Sequence, residues 1–310
     1  MCALPRAEAW PVWVPLKSIA KLCVVASAVA ALSGCAGFRL DDEDPAASAK
    51  TASIAPGLLD ATEQAIAAGR YPDAQRLLQQ MFVVDAQNPR AKLLLAELHL
   101  ANGLIPQAAA EFDQIKDVPE ISSRAFQGKG LAALLNGEKE PAAEALRMAV
   151  KQDANLWRAW NALGYYYDTK QQWPDSADCY ERALAANPVS APVYNNRGFS
   201  NLLQRRFGEA IADLSRAVEI DPSLPGAARN LRLALASNGE YARALVGATG
   251  KNLGEALNNV GYIALLRGDY AAAESYLSRA MDADASFNRL AWLNLSYLKS
   301  INEMNKIRPK

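Results

Sequence analysis

Histidine and cysteine are scarce in this sequence, and their scarcity argues against most catalytic chemistries. The 310 residues include a single histidine, His99, and four cysteines. One histidine cannot build a histidine-rich metal site, and it leaves a Ser-His-Asp triad without support from the sequence. His99 also falls at a packing position of the repeat described below. We therefore predict a protein that is not an enzyme and that uses no metal or cofactor.

An excess of basic residues is also absent. Lys+Arg and Asp+Glu are balanced at 33 each, whereas nucleic-acid-binding proteins carry a basic surplus. Hydrophobic residues make up 51% of the chain, with abundant alanine and leucine and few β-branched residues, as is typical of helical proteins. The composition predicts an all-α fold, and neither a nucleic acid nor a small-molecule substrate is expected as a partner.

Near the N-terminus lies an apolar run that is too short to span a membrane. Residues 22–31 form a run of ten residues that are apolar except for Ser27, about half of the length that a bilayer-spanning helix needs. Basic residues precede the run, and "LSGC" at 32–35 follows it. This motif resembles the bacterial lipobox, whose cysteine is acylated and becomes the mature N-terminus. We predict a lipoprotein signal peptide over residues 1–34 and lipidation of Cys35.

The segment after the predicted lipidation site has the composition of a tether. Residues 35–54 are first acidic, then rich in alanine and serine, with no helical or strand period, which favours a flexible chain. We interpret "DDED" at 41–44 as solvated charge rather than as a metal or partner site. Ala36 stands where an aspartate is associated with retention in the inner membrane. We therefore expect a lipid anchor on the periplasmic face of the outer membrane.

From residue 55 onward the sequence matches itself at an offset of 34 residues, the period of tetratricopeptide repeats. Counted from Trp157, the signature positions 4, 7, 8, 11, 20, 24, 27 and 32 hold Trp160, Leu163, Gly164, Tyr167, Ser176, Tyr180, Ala183 and Pro188. The small residue of position 20 recurs every 34 residues as far as Ala244 and then after 29, at Ala273. One hairpin cannot bury its apolar face alone, so stacked hairpins share a continuous core.

This frame predicts a superhelical solenoid of about seven helical hairpins over residues 55–287. The units are 55–88, 89–122, 123–156, 157–190, 191–224, 225–253 and 254–287, and a capping helix follows at 288–310. The unit 225–253 is degenerate, with Arg232 in place of the usual glycine and a second helix expected to stop near Val246. Its "GATGK" is not a phosphate loop, because Leu245 and Asn252 replace the required glycine and Ser/Thr.

Small residues are predicted to let the two helices of each hairpin cross closely. The expected pairs are Gly164 with Ser176, Gly198 with Ala210, and Gly261 with Ala273. Cys179 lies on a second helix among alanines, where a small packing role is expected.

The first helices of such hairpins are expected to line a concave groove. The groove residues that we select are Arg158, Asn161, Tyr165, Asn195, Phe199, Arg229, Asn258 and Tyr262. Carboxamides can bind the main chain of an extended peptide, and the aromatic rings supply apolar contact. Asparagine pairs occur at 195–196 and at 258–259. In each pair we assign the first residue to the groove and the second to securing the repeat.

The stretch "NNRGFSNLLQRRFGEAIADLSRAVEI…" from residue 195, with "NNVGYIALLRGDYAAAESYLSRAM" from 258, resembles the C-terminal half of the TadD family. These are tetratricopeptide lipoproteins of the Flp (tight adherence) pilus system, and the lipobox, tether and solenoid have the same layout. The resemblance implies a membrane-anchored scaffold for assembling the pilus secretion machine, with its outer-membrane secretin as a partner. A pilot lipoprotein of a type IV pilus secretin, or another envelope-assembly scaffold, remains the alternative.

Overall fold

The computed structural model describes residues 56–283 and 288–307. Within them the regular secondary structure is entirely helical, which confirms the all-α prediction. The expected signal peptide, the tether and Cys35 lie outside the described residues. The chain divides into two compact units, and the division falls between Gly128 and Lys129.

The first unit contains two complete helical hairpins. Its helices are α1 (Pro56–Ala67), α2 (Tyr71–Val84), α3 (Pro89–Ala101), α4 (Ile105–Ile115) and the first half of α5 (Ser122–Leu135). Leu78, Met81 and Leu94 form one buried cluster, and Phe112 centres another. His99 Nδ1 lies 2.7 Å from Glu111 Oε2 and so ties α3 to α4. The only histidine of the sequence thus contacts a carboxylate inside a hairpin.

The second unit continues the same pattern of paired helices. It holds the rest of α5 with α6 (Lys139–Gln152), α7 (Trp157–Thr169), α8 (Trp173–Ala186), α9 (Ala191–Leu203), α10 (Phe207–Ile220), α11 (Ala227–Ser237), α12 (Tyr241–Ala244), α13 (Leu253–Leu266), α14 (Tyr270–Ala283) and α15 (Asn288–Ile307). A short 3₁₀ turn, Gly250–Asn252, leads into α13.

The turn inside every hairpin contains a residue in the left-handed region. These residues are Gly69, Gly103, Gly137, Gln171, Arg205, Gly239 and Gly268, with φ between 57° and 90°. They follow one another at 34 residues until Gly239, and Gly268 comes 29 later. A left-handed backbone is easy for glycine and costly for a residue with a Cβ. Gln171 and Arg205 therefore carry strain that the five glycines avoid.

Four of the junctions between hairpins are closed by short polar side chains. Asp85, Asp153 and Asp221 each accept a hydrogen bond from the backbone N–H two residues later, at 2.9–3.0 Å. Asn187 does the same at 3.3 Å. Such Asx turns stop the second helix and redirect the chain into the next hairpin.

Glycines on the first helices make room for a large side chain of the second helix. A Cβ on Gly164 would lie 2.6 Å from the Tyr180 ring, and one on Gly198 or Gly261 would lie 2.7 Å from a leucine Cγ. Those leucines are Leu214 and Leu277.

The residues expected opposite these glycines are Ser176, Ala210 and Ala273. These three small residues are fully buried, but the nearest atoms to each glycine belong to the residue one helical turn later. The physical reason is size, because the long side chain at that position crosses the interface and fills the space above the glycine.

The degenerate hairpin is short because α12 has only four residues and ends at Ala244, two residues before the expected stop. Arg232 stands where the neighbouring first helices have glycine, and its Nε donates a hydrogen bond to the carbonyl of Ala244 at 3.0 Å. Burial lowers the pKa of Arg232, while the charge of Glu255 partly opposes that shift. A guanidinium thus binds the end of the short helix, where last-turn carbonyls lack partners.

Candidate partner-binding groove

Asparagine side chains on neighbouring first helices form hydrogen-bonded links, which we call the asparagine ladder. Asn196 Nδ2 on α9 donates to Asn161 Oδ1 on α7 at 3.1 Å. Asn230 Nδ2 on α11 donates to Asn195 Oδ1 at 3.0 Å. Asn195 Nδ2 donates to Asn196 Oδ1 at 3.2 Å and joins the two links. The ladder therefore runs without a break from α7 through α9 to α11.

A further link of the same kind connects the last helices. Asn294 Nδ2 on α15 donates to Asn258 Oδ1 on α13 at 3.1 Å. In every link an asparagine at a predicted groove position accepts from an asparagine on the next first helix. The helix α15 thus continues the stacking of first helices.

The ladder changes how the predicted groove asparagines are used. Asn195 is 9% exposed and Asn258 is 7% exposed, since their carboxamides lie between helices and bind other asparagines. The peptide-binding role expected for them stays a prediction, and it has to compete with these internal bonds. Asn161 is half-buried and holds only the first link.

Aromatic and leucine side chains form the more accessible part of this face. Tyr262 is 40% exposed, and Leu203 and Leu266, at the ends of α9 and α13, are 50% and 66% exposed. Tyr165 and Phe199 are half-buried. Burial raises the pKa of Tyr165, and the charge of Asp168 adds to the shift. The first helices therefore present apolar surface with a neutral phenol among it.

The two predicted groove cations have different surroundings. The Arg158 guanidinium lies over the Trp157 ring, 5.0 Å from its centroid. Arg229 is exposed and makes no hydrogen bond, ion pair or ring contact with any described residue. Arg229 is therefore the more available of the two for an external ligand.

A half-buried carboxylate that the sequence analysis did not single out holds the centre of this face together. Asp168 on α7 accepts hydrogen bonds from Tyr180 Oη on α8 at 2.7 Å and from Ser200 Oγ on α9 at 2.6 Å. Burial raises the pKa of Asp168, and the hydroxyl donors partly offset that rise. No sequence signal distinguishes this aspartate from a surface residue, because its partners are 12 and 32 residues away.

The ladder itself had a sequence signal that could have been found. Asn161 and Asn196, like Asn195 and Asn230, are 35 residues apart, one more than the repeat. A polar residue recurring at this offset indicates contact between the same faces of consecutive first helices. The third link spans 36 residues and would have been missed by the same search.

Two observations on the described residues concern metal ligation and thiol chemistry. No group of three or more His, Cys, Asp or Glu residues there could hold a metal ion. Cys179 is buried at one side of a cleft of about 430 Å³ between α6, α7 and α8. Burial raises the pKa of its thiol to about 12, so a reactive thiolate is not formed near neutral pH. None of the described helices combines the length and apolar character of a membrane span.

Comparison with curated proteins finds short matches to much longer relatives. The chain is 24% identical to Arabidopsis thaliana protein NPGR2 over 156 residues, which is 49% of this chain and 19% of that protein. It is 36% identical over 69 residues to the Saccharomyces cerevisiae peroxisomal targeting signal receptor, or 22% of this chain and 11% of the receptor. The chain thus spans at most about a fifth of the length of these relatives.

Solved structures share the helical architecture at low sequence identity. The Cut9–Hcn1 structure of the APC/C matches 78% of this chain and 49% of its own, with a TM-score of 0.61 and 13% identity. A tetratricopeptide protein of Thermus thermophilus matches 58% of this chain and 97% of its own, with a TM-score of 0.50 and 20% identity. Pseudomonas aeruginosa PilF matches 65% of this chain and 95% of its own, with a TM-score of 0.50 and 18% identity. These likenesses show the fold.

Family models of the tetratricopeptide repeat match three parts of the sequence. The matched residues are 65–118, 157–225 and 254–287. Together they cover about half of the chain, and they fall on the helical hairpins described above. Such repeats are protein-interaction scaffolds rather than catalysts, and this chain belongs to the tetratricopeptide-repeat family.

Proposed function

We propose that this protein is a lipid-anchored scaffold that binds a protein partner during assembly of a Flp (tight adherence) pilus secretion machine, with the outer-membrane secretin as that partner. The observation that carries the binding role is the exposed apolar surface of the first helices. Leu203, Tyr262 and Leu266 expose 40–66% of their surface on α9 and α13. The helix α11 packs against both α9 and α13, and exposed apolar patches of this kind mark interaction surfaces.

The comparisons give support at two levels. A relative of this chain is named as a receptor for a peroxisomal targeting signal, and recognition of a segment of another protein is the role proposed here. Pseudomonas aeruginosa PilF shares the fold over 65% of this chain. The pilus assignment itself rests on the resemblance of residues 195–245 and 258–281 to the TadD family and on the lipobox.

Membrane attachment through Cys35 is the part of the proposal that is tested most directly. A lipobox cysteine carries at least two acyl chains, and burial of each methylene contributes about 0.8 kcal/mol. Cys35→Ala is therefore expected to release the protein into a soluble or unprocessed form, measured by membrane fractionation. Recovery of the variant in outer membranes at the wild-type level would contradict the lipoprotein assignment.

The groove is tested by removing its aromatic anchors. Phe199→Ala combined with Tyr262→Ala is expected to abolish co-purification of the secretin and piliation, because aromatic anchors dominate such interfaces. Circular dichroism must show unchanged helix content in the variant. Normal recovery of the secretin would contradict the groove assignment.

A matched control removes exposed apolar side chains elsewhere in the same unit. Met148 on α6 and Val246 after α12 are 42% and 78% exposed and do not lie on a first helix. Met148→Ala with Val246→Ala should leave secretin recovery unchanged.

If the secretin of a type IV pilus is recovered instead of that of a Flp system, the alternative pilot role is the correct one.

A further inference from the structure

The asparagine ladder has one gap, and the gap falls at the shortened hairpin. Links join α7 to α9, α9 to α11, and α13 to α15. Between α11 and α13, which pack against each other, the repeat places Arg229 and Asn259 at the corresponding positions. A guanidinium has no acceptor atom and cannot take the bond that an asparagine carbonyl would accept. The replacement of one residue therefore interrupts the ladder.

Both members of the interrupted link lack partners within the described residues. Arg229 is exposed, and Asn259 is half-buried, yet neither side chain makes a hydrogen bond or an ion pair there. Glu255, in the first turn of α13, makes no ion pair with Arg229. The paired asparagines of the other links are instead occupied by each other. At the gap, both members of a link therefore remain free to bind a ligand.

We infer that Arg229 and Asn259 bind an acidic extended segment of the partner. This inference rests on the proposed function and locates its contact. The guanidinium suits a carboxylate through charge-assisted hydrogen bonds, and the carboxamide suits a main-chain peptide group. Leu233 and Tyr262, about one helical turn further along α11 and α13, offer apolar contact beside them.

The charge of the predicted groove favours an acidic partner over a basic one. The eight predicted groove residues include two arginines and no carboxylate, and Arg158 is already stacked on Trp157. The carboxylate of Asp168 accepts bonds from two hydroxyl groups and lies on α7, which does not pack against the α11 helix of Arg229. An incoming acidic side chain therefore finds an unopposed cation at Arg229.

A displayed library of random dodecapeptides tests the inference without assuming the partner. Detergent-purified full-length protein should enrich peptides that carry Asp or Glu at a constant spacing from an apolar residue. Arg229→Glu should weaken binding of the selected peptides about tenfold or more, measured by fluorescence anisotropy, because it replaces attraction by repulsion. Selection on this variant should shift toward basic peptides.

Arg216→Glu is the matched control, since it makes the same charge change on an exposed arginine of the second helix α10. It should leave peptide affinity unchanged. Absence of acidic peptides from the selection, or equal affinities for wild type and Arg229→Glu, would overturn the inference. Acidic peptides that need Arg229, without recovery of the secretin, would support this site and refute the proposed partner. If Arg229→Glu leaves secretin recovery unaffected, the secretin is supported as the partner and this site is refuted.

Discussion

Two consecutive hairpins of the second unit follow one repeat frame and solve its packing differently. In the regular hairpin, α10 has 14 residues and Leu214 fills the space above Gly198. In the shortened hairpin, α12 has four residues, and Arg232 stands where the glycine would be. In this pair of hairpins the glycine accompanies a second helix of full length. Where that helix stops early, a long polar side chain replaces the glycine and binds the exposed helix end.

The same two hairpins differ in how they meet the following one. Asn195 on α9 accepts a hydrogen bond from Asn230 on α11, whereas Arg229 on α11 has no such bond with α13. The regular hairpin therefore uses its polar groups for internal stability. The shortened hairpin leaves Arg229 available for binding.

The largest expected effect comes from filling the glycine space of the regular hairpin. Gly198→Leu places a side chain where even a Cβ lies 2.7 Å from Leu214 Cγ and 3.1 Å from the Leu214 backbone nitrogen. Overpacking of this kind should lower the free energy of unfolding by about 1–3 kcal/mol. Thermal and urea denaturation measure the loss. Gly208→Leu is the control, since a Cβ there meets nothing within 4 Å. An equal loss in both variants would show that the close crossing is not the cause.

Breaking the ladder in the regular hairpin should cost nearly as much. Asn195→Ala removes the acceptor of Asn230, which is 6% exposed, and leaves a buried carboxamide without its partner, at about 1–3 kcal/mol of unfolding free energy. Asn259→Ala breaks no hydrogen bond among the described residues and should change stability by less than about 0.5 kcal/mol. Urea denaturation of both variants gives the comparison. Equal stabilities would mean that the ladder does not stabilise the fold.

A smaller effect, in the stabilising direction, is expected at the turns of the regular hairpins. Gln171 and Arg205 have φ of 57° and 63°, whereas the shortened hairpin has Gly239 there. Gln171→Gly and Arg205→Gly should each raise the free energy of unfolding by roughly 0.5–1 kcal/mol through release of backbone strain. Gln172→Gly is the control, because Gln172 has an ordinary φ of −86°. A melting temperature that does not rise in the first two variants would contradict this explanation.

The smallest expected effect is repair of the ladder gap. Arg229→Asn supplies the missing acceptor for Asn259, and one hydrogen bond, less the poorer helix propensity of asparagine, should add about 0.5 kcal/mol to stability. The double variant with Asn259→Ala should lose that gain, and a double-mutant cycle measures the coupling. If the inferred site is correct, the repaired ladder also binds acidic peptides more weakly. No coupling between residues 229 and 259 would contradict the assignment of the gap.

Most of the fold could be predicted from the sequence, because the residues that pack each hairpin recur at the same positions in successive repeats. The spacing of 34 residues, its shortening to 29 and the glycines at 164, 198 and 261 were all readable. The residue that packs closest to each glycine could not be read from the sequence. Whether a serine or a tyrosine comes closest depends on how the side chains cross the interface between the two helices. The sequence predicted which face of the first helices forms the candidate groove. It did not predict how exposed each side chain on that face is.

The sequence by itself determined an all-helical tetratricopeptide protein, since alanine-rich amphipathic periodicity is a local property that each hairpin expresses independently. Only the tertiary structure decided which polar side chains are hydrogen-bonded within the protein. Asn195 and Asn259 both belong to asparagine pairs, yet one is bound to Asn230 and the other has no partner within the described residues. Hydrogen bonding between helices depends on the residue that the neighbouring helix presents, and an arginine at 229 in place of an asparagine is enough to change the outcome.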